Sequence, residues 1–383
     1  MKTKETTNLD EIFKDKVKML EGLAQSLEVK SLPQIIMFGD KHGQSRELER
    51  ILLVAKEAIT SEQPITIIGH GDYFDRGDQN QRNWEILQEL IDIDKQFSHI
   101  EVVLLMGNHD VWCVQAMLFK NKSAKENWFL QGGKKVFDEL GRKKTKELAF
   151  WITQNLDLCY QDAWGFLHVH AGIPMDDLGN PTISREQLDE MHEDIQRARD
   201  KPELLEKALE QSSEIFWVRE HEWLNHIDNR VQLDEENKQK SIRIVSDSLK
   251  RQYPGMPEDV LAAQTEKLWK KILQENLEVF KQQGVKFNIQ ENELQIDVLD
   301  LFLAQLGAVG VIVGHSHRKK LYHIDGRIFI IDVDQGDPGH LIFNSQQGIV
   351  FDSLIRKSQE CVIGVDSFAQ AVEQEIDRIR QII

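Results

Sequence analysis

Apolar residues along this chain follow two rhythms. Short runs of strand length stand at Gln34–Phe38, Ile65–Ile68 and Val102–Met106, and between them apolar positions recur at helical spacing over Ser45–Thr60 and Asn80–Lys95. This alternation predicts an α/β fold: a sheet with substantial parallel pairing, covered by crossover helices. Upstream, Leu9, Ile12, Phe13, Val17, Leu20, Leu23 and Leu27 mark residues 1–30 as a helical lead-in. Downstream, Ser123–Leu156 is polar, lysine-rich and helical in pattern, and strand patterns return at Leu158–Tyr160, Gly165–Val169 and Val309–Val313. Leu321–Leu354 holds short β-rich runs broken at Asp325-Gly326 and Gln347-Gly348, as hairpins are. Residues 355–383 read as a closing helix, with Phe368, Val372, Ile376 and Ile379 at helical spacing.

One stretch breaks the β-rich pattern. Residues 184–293 are rich in Glu, Gln and Lys, and their only glycines are Gly255 and Gly284. Leu188, Met191, Ile195 and Ala198 form one amphipathic stripe, Asp200-Lys201-Pro202 marks a stop and a fresh start, and Leu261, Leu268, Ile272 and Val279 form a second stripe. The division expected is a main domain of residues 1–183 and 294–383, interrupted by a helical insertion at 184–293 that either packs as a cap or selects a substrate or partner.

Composition narrows the function classes. With 383 residues the chain can bury a large core, and its formal net charge of −17 argues against a nucleic-acid partner, which would call for surplus Lys and Arg. No apolar run approaches membrane-spanning length, and Met1–Lys18 lacks the apolar core of a signal peptide. Cys113, Cys159 and Cys361 are too widely spaced for a zinc finger or a disulfide framework. A soluble, cytoplasmic protein is the default expectation.

Chemistry concentrates in five short segments: Gly39-Asp40-Lys41-His42-Gly43, Gly71-Asp72-Tyr73-Phe74-Asp75-Arg76-Gly77, Gly107-Asn108-His109-Asp110, His168-Val169-His170-Ala171-Gly172 and Gly314-His315-Ser316-His317. The first three each follow a strand-length run, so their acids and histidines converge at one sheet edge, where α/β folds place their sites. Carboxylate, amide and imidazole groups without thiolate suit two transition-metal ions such as Mn, Fe or Zn. Two such ions can both generate a nucleophile and neutralise a phosphoryl group.

These segments resemble the calcineurin-like metallophosphoesterase superfamily and, within it, bacterial-type members of the phosphoprotein phosphatase family. That family's signatures read Gly-Asp-x-His-Gly, Gly-Asp-x-x-Asp-Arg-Gly and Gly-Asn-His-Glu. The first two are matched in full, and the third carries Asp110 in place of Glu. Ala171 stands where the family has a second glycine, and the Gly-His-Ser-His segment is closer to the wider superfamily. The resemblance covers 34–172 and 309–354 and leaves out the helical insertion.

The resemblance implies a two-sheet sandwich flanked by helices and a dinuclear site. Asp40 and His42 would bind the first metal, with His317 as an extra ligand. Asp72 would bridge, and Asn108, His170 and His315 would complete the second. A hydroxide between the metals would attack in line, His109 held by Asp75 would protonate the leaving group, and Arg76 would grip phosphate oxygens. Arg219, in Phe216-Trp217-Val218-Arg219, resembles a second phosphate clamp of bacterial relatives. Lys41 reads as a solvated position, and the other histidines, including His70, His168 and His340, as structural or surface groups.

The function expected is a metal-dependent protein phosphatase assayed with Mn²⁺, acting on phosphorylated protein. The Val169–Pro174 run keeps a diadenosine tetraphosphatase-like hydrolase as the alternative. A nuclease is disfavoured by charge, and a non-catalytic scaffold by the intact ligand set. Relatives with helical additions include effectors secreted into host cells, which makes that origin a further expectation.

Overall fold

A computed structural model describes residues 9–28, 32–176, 181–218, 235–282, 287–288, 293–294, 298–316, 321–324, 327–332, 339–353 and 358–382. In chain order they form α1 (Leu9–Glu28), β1 (Gln34–Phe38), α2 (Arg46–Ser61), β2 (Ile65–Gly69), α3 (Asn80–Gln96), β3 (Ile100–Leu104), α4 (Asn108–Met117) and α5 (Lys122–Trp128). A π-turn at Phe129–Gly133 leads into α6 (Lys134–Asn155), followed by β4 (Cys159–Gln161) and β5 (Phe166–Val169). Helices α7 (Arg185–Ala198), α8 (Pro202–Gln211), α9 (Ser213–Trp217), α10 (Glu235–Gln252) and α11 (Glu258–Gln282) come next, then the two-residue strands β6 (Phe287–Asn288) and β7 (Glu293–Leu294). The chain continues through α12 (Val298–Gln305), β8 (Gly310–Val313), β9 (Tyr322–Ile324), β10 (Ile328–Ile330), β11 (Gly339–Asn344), β12 (Gly348–Ser353), β13 (Ser358–Ile363) and α13 (Val365–Ile382).

Two mixed sheets carry the fold, in the orders β13-β12-β11-β1-β2-β3 and β4-β5-β8-β10-β9. Parallel pairing is confined to β1-β2-β3 in the first and β5-β8-β10 in the second. The sheets face each other: Phe166 of β5 meets Phe343 of β11 edge-on at 4.9 Å. Ile35, Met37, Ile68 and Val103 share one apolar cluster with Phe166, Ile312 and Phe329. The alternate residues Ile65, Ile67, Val102 and Leu104 pack in the other cluster with α2 and α3, as the two-residue strand period requires. Because both faces of the central strands are buried, their runs are continuously apolar.

The lead-in and closing helices clasp each other. Phe13, Leu20, Leu23 and Leu27 join Phe368, Val372, Ile376 and Ile379 in one cluster, and Lys16 pairs with Glu375. The closing helix starts at Val365 rather than at 355; Ser358–Ile363 is instead an edge strand on β12.

Among the helices after β5, Ser184 caps α7: its hydroxyl accepts from Gln187 N–H, and Gln187 Oε1 accepts from Ser184 N–H at 2.9 Å. Pro202 opens α8, at the start site read from the sequence. Leu188, Ile195, Leu205, Leu209, Ile215 and Phe216 join the sandwich's own cluster. In the second stripe Leu261 is buried but Leu268 is 38% exposed. Among the described residues no helix is long and apolar enough to cross a membrane.

Candidate active site

The parallel strands of both sheets end at the same place. Asp40 and His42 follow β1, Asp72 follows β2, Asn108 and His109 follow β3, His170 follows β5 and His315 follows β8. All seven are buried. The loops that present them are laced together: the Asp72 carbonyl accepts from Lys41 N–H at 3.0 Å and His42 N–H at 2.9 Å, and the His42 carbonyl accepts from Gly77 N–H at 2.7 Å. This closeness is what the motif glycines supply. A Cβ on Gly77 would collide with the His42 and Gly43 backbone, and one on Gly71 (φ +94) would lie 2.8 Å from His170 Nδ1. Five of the seven non-glycine residues with positive φ among the described residues are His42, Asp72, Asp75, Arg76 and His315. Backbone strain is thus concentrated at the site.

Two groups of ligand atoms converge. In one group, which could hold a metal ion, His170 Nε2 lies 3.0 Å from Asn108 Oδ1, 3.2 Å from His315 Nδ1 and 3.6 Å from Asp72 Oδ2. Metal bonds of about 2.0–2.2 Å place neighbouring ligand atoms about 3–3.6 Å apart, so this donor set fits a cation. His170 Nδ1 contacts the His70 carbonyl at 2.5 Å, which leaves Nε2 as the lone-pair nitrogen. The other group is wider: His42 Nε2 stands 3.8 Å from Asp40 Oδ2 and 4.0 Å from Asp72 Oδ2. Asp40 Oδ2 is buried without a hydrogen bond. Burial, with Asp332 and Asp72 nearby, holds the Asp40 carboxyl well above its ordinary range, a crowding that a divalent cation relieves. Burial also pushes Asp72 up, but His109, His170, His42 and His315 around it outweigh that and leave it low.

Asp75 sits between two imidazoles, with Oδ1 2.8 Å from His42 Nδ1 and Oδ2 bonded to His109 Nδ1. The His109 backbone N–H donates to Asp72 Oδ1 at 2.8 Å. Burial favours neutral His109, but Asp72 and Asp75 outweigh it and raise the ring above its ordinary value, as suits a proton donor. Arg76 spans the opening, its Nη1 2.9 Å from His42 Nε2 and its Nη2 3.1 Å from His109 Nε2. Lys135 Nζ donates to the Arg76 carbonyl at 2.5 Å, and Gly132 of the π-turn packs on its backbone.

Of the residues singled out in the sequence, Asp40, His42, Asp72, Asp75, Arg76, Asn108, His109, His170 and His315 come together here. His317 and Arg219 lie outside the described residues. The described chain runs to Val218 on that side, and the Trp217 ring lies tilted at 4.5 Å against Trp112, whose ring meets His109 at 5.0 Å. Lys41 is not solvated: it is buried and paired with Glu47. A lysine between two glycines of a loop reads as exposed until its partner, on the next helix, is seen.

Several supporting residues were given no role from the sequence. Asp110 Oδ2 accepts from Asp72 N–H at 2.8 Å and Gly107 N–H at 2.9 Å, which pins the Asp72 backbone. Asn80 Oδ1 accepts from Asp75 N–H at 2.7 Å. Asp332 is fully buried at the end of β10, the third parallel strand of its sheet. An acid just past an apolar run, the pattern of Asp40 and Asp72, also stands at Ile328–Asp332.

The chain matches the calcineurin-like phosphoesterase family over residues 33–319 and belongs to it. The match runs through the helical segment that the motif resemblance left out. Membership makes the protein a hydrolase acting on phosphoesters, with the His and Asp groups above able to hold metal. No curated protein matches it. Similar solved structures include a cold-active protein tyrosine phosphatase (13% identity, TM-score 0.46, 88% of this chain and 80% of that one) and the cold-active enzyme of a Shewanella species (14%, 0.41, 86% and 80%). A protein serine/threonine phosphatase from Saccharomyces cerevisiae is similar at 12% identity and TM-score 0.44, covering 88% and 82%.

Proposed function

We propose that this protein is a metal-dependent phosphatase of the phosphoprotein phosphatase type, acting on phosphorylated proteins. The observation that carries this reading is the joint placement of Asp75, His109 and Arg76 beside the two ligand groups. Asp40, His42 and Asp72 would hold one divalent cation, and Asp72, Asn108, His170 and His315 the other, with His317 as a further ligand of the first and Mn²⁺ the ion chosen for assay. When bound, the pair supplies an activated water and neutralises phosphoryl charge.

The protein's residues do the rest. Arg76 offers two parallel N–H donors to the phosphoryl oxygens, a geometry that a planar guanidinium matches and an ammonium does not. Its Nη1 rests on His42 Nε2 and its Nη2 on His109 Nε2, lone pairs that a bound cation and a proton would respectively take, which would free Arg76 for substrate. His109 gives its Nε2 proton to the leaving oxygen as the phosphorus–oxygen bond breaks. Asp75 fixes the ring and stabilises its charged form before the transfer. The attacking oxygen comes from water, and the products are inorganic phosphate and the free hydroxyl.

Hydrolysis of matched phosphoserine, phosphothreonine and phosphotyrosine peptides, with Mn²⁺ and with chelator, tests the proposal alongside diadenosine tetraphosphate. Chelator-sensitive peptide turnover is expected. Turnover of the dinucleotide alone would overturn the protein-phosphatase reading and favour the nucleotide hydrolase.

A further inference from the structure

Behind the metal ligands runs a buried chain of side chains that the reaction does not use. His70, just past β2 in the first sheet, has Nε2 3.0 Å from His168 Nδ1 in β5 of the second sheet. His168 Nε2 in turn lies 2.9 Å from Asp162 Oδ2. The His70 and His168 rings are fully buried, as is the Asp162 carboxylate. Asp162 is itself locked, because its Oδ1 accepts from Trp164 N–H and Phe166 N–H, each at 2.9 Å.

The chain reaches the site through the His70 backbone, whose carbonyl meets His170 Nδ1 at 2.5 Å. His168 lies in β5 and His170 directly follows the strand, two residues further on. The His170 ring presents Nε2 to the ligand group while the His168 ring ties the opposite sheet to the strand. The His70 N–H also donates to the Phe38 carbonyl at 3.0 Å, so β1 and His168 together hold the residue whose carbonyl meets His170.

We infer that His168 is a positioning residue for the second metal: through His70 it aims His170 and raises the affinity of that position for a divalent cation. This rests on the metal-centre reading above. A merely structural staple between the sheets would stabilise the protein with and without metal equally. A positioning role adds a second effect, a smaller stabilisation by metal.

Thermal unfolding of the full chain with EDTA and with excess Mn²⁺ separates the two, beside direct Mn²⁺ titration. The variants are His168→Phe, which removes both links, His168→Asn, whose amide falls near Nδ1 and keeps the His70 contact, and His168→Gln, whose amide falls near Nε2 and keeps only the Asp162 contact. His168→Phe and His168→Gln should bind Mn²⁺ about 10–100-fold more weakly, as is typical when the partner of a metal-bound histidine is lost. Each tenfold removes about 1.4 kcal/mol of metal-linked stabilisation. His168→Asn should retain most of the affinity. If His168→Phe does not fold, the contrast between Asn and Gln still decides, since both lose similar packing. Wild-type affinity in a folded His168→Gln protein overturns the inference alone. Absence of any Mn²⁺ effect on the wild type overturns the metal centre along with it.

Discussion

The loops at the site and the helices after β5 contrast in how their side chains are held. In the loops, Asp75 joins His42 to His109, Asp110 joins Asp72 to Gly107, and the His315 N–H donates to Asp40 Oδ1 at 3.0 Å across 275 residues. The helical segment divides in two. Its first part, α7 to α9, is part of the sandwich: Phe216 is fully buried in the main cluster, and Arg199 pairs with Asp157 at 2.7 Å. In its second part, Tyr253, Val260 and Leu268 are exposed, and Lys270 pairs with Glu266 along its own helix at 2.6 Å. An insertion read from sequence as one unit thus has an integrated half and a half that offers apolar surface.

Substitutions sharpen the contrast, the largest effects lying in the loops. Asp72→Asn should abolish metal binding and leave phosphatase activity near background, read by metal titration and peptide turnover together. His109→Asn should lower kcat by about 10²–10⁴-fold while metal binding persists, because only proton donation is lost. In the integrated half, Phe216→Ala should cost about 3–5 kcal/mol in denaturant unfolding, as for other fully buried aromatic side chains. In the outer half, Leu268→Ala should change stability by no more than about 0.5 kcal/mol. A loss there as large as that of Phe216→Ala would mean that the two halves are not different in kind.

The sandwich should also show a pH signature of its own. Burial holds His340 on β11 down to about 4 from an ordinary 6.5, against the pull of Asp352. Between those values the unfolded chain binds a proton that the folded one refuses, so this contribution is complete above about pH 6.5 and is lost as pH falls toward 4. The loss is on the order of 3 kcal/mol. Buried carboxyls such as Asp110, held high by burial and by Asp72, act in the opposite direction, so the difference between wild type and His340→Gln is the quantity to read. The variant should lose less stability than wild type between pH 7 and pH 4.5.

Much of this was legible in the residues. Strand runs and motif order brought out nine residues that the structure gathers in one place, because an acid or histidine just past an apolar run needs only local information. Lys41, Asn80 and the His70–His168 contact were not legible. Glu47, which neutralises Lys41, lies on the next helix, and His168 lies 98 residues from His70 on the other sheet. The edge strand Ser358–Ile363 was hidden for a related reason: its form depends on pairing with β12, not on its own pattern.

By itself, the sequence determined the strands, the glycines at which loops approach one another and the chemical types of the ligands, since these follow from short-range periodicity and backbone sterics. The tertiary structure alone decided that the ends of β1, β2 and β3 in one sheet meet those of β5 and β8 in the other. It also decided that Asp75 serves two histidines and that half of the insertion belongs to the core. Those facts depend on contacts between residues far apart in the chain, and a local pattern carries no record of which distant surface will bury it.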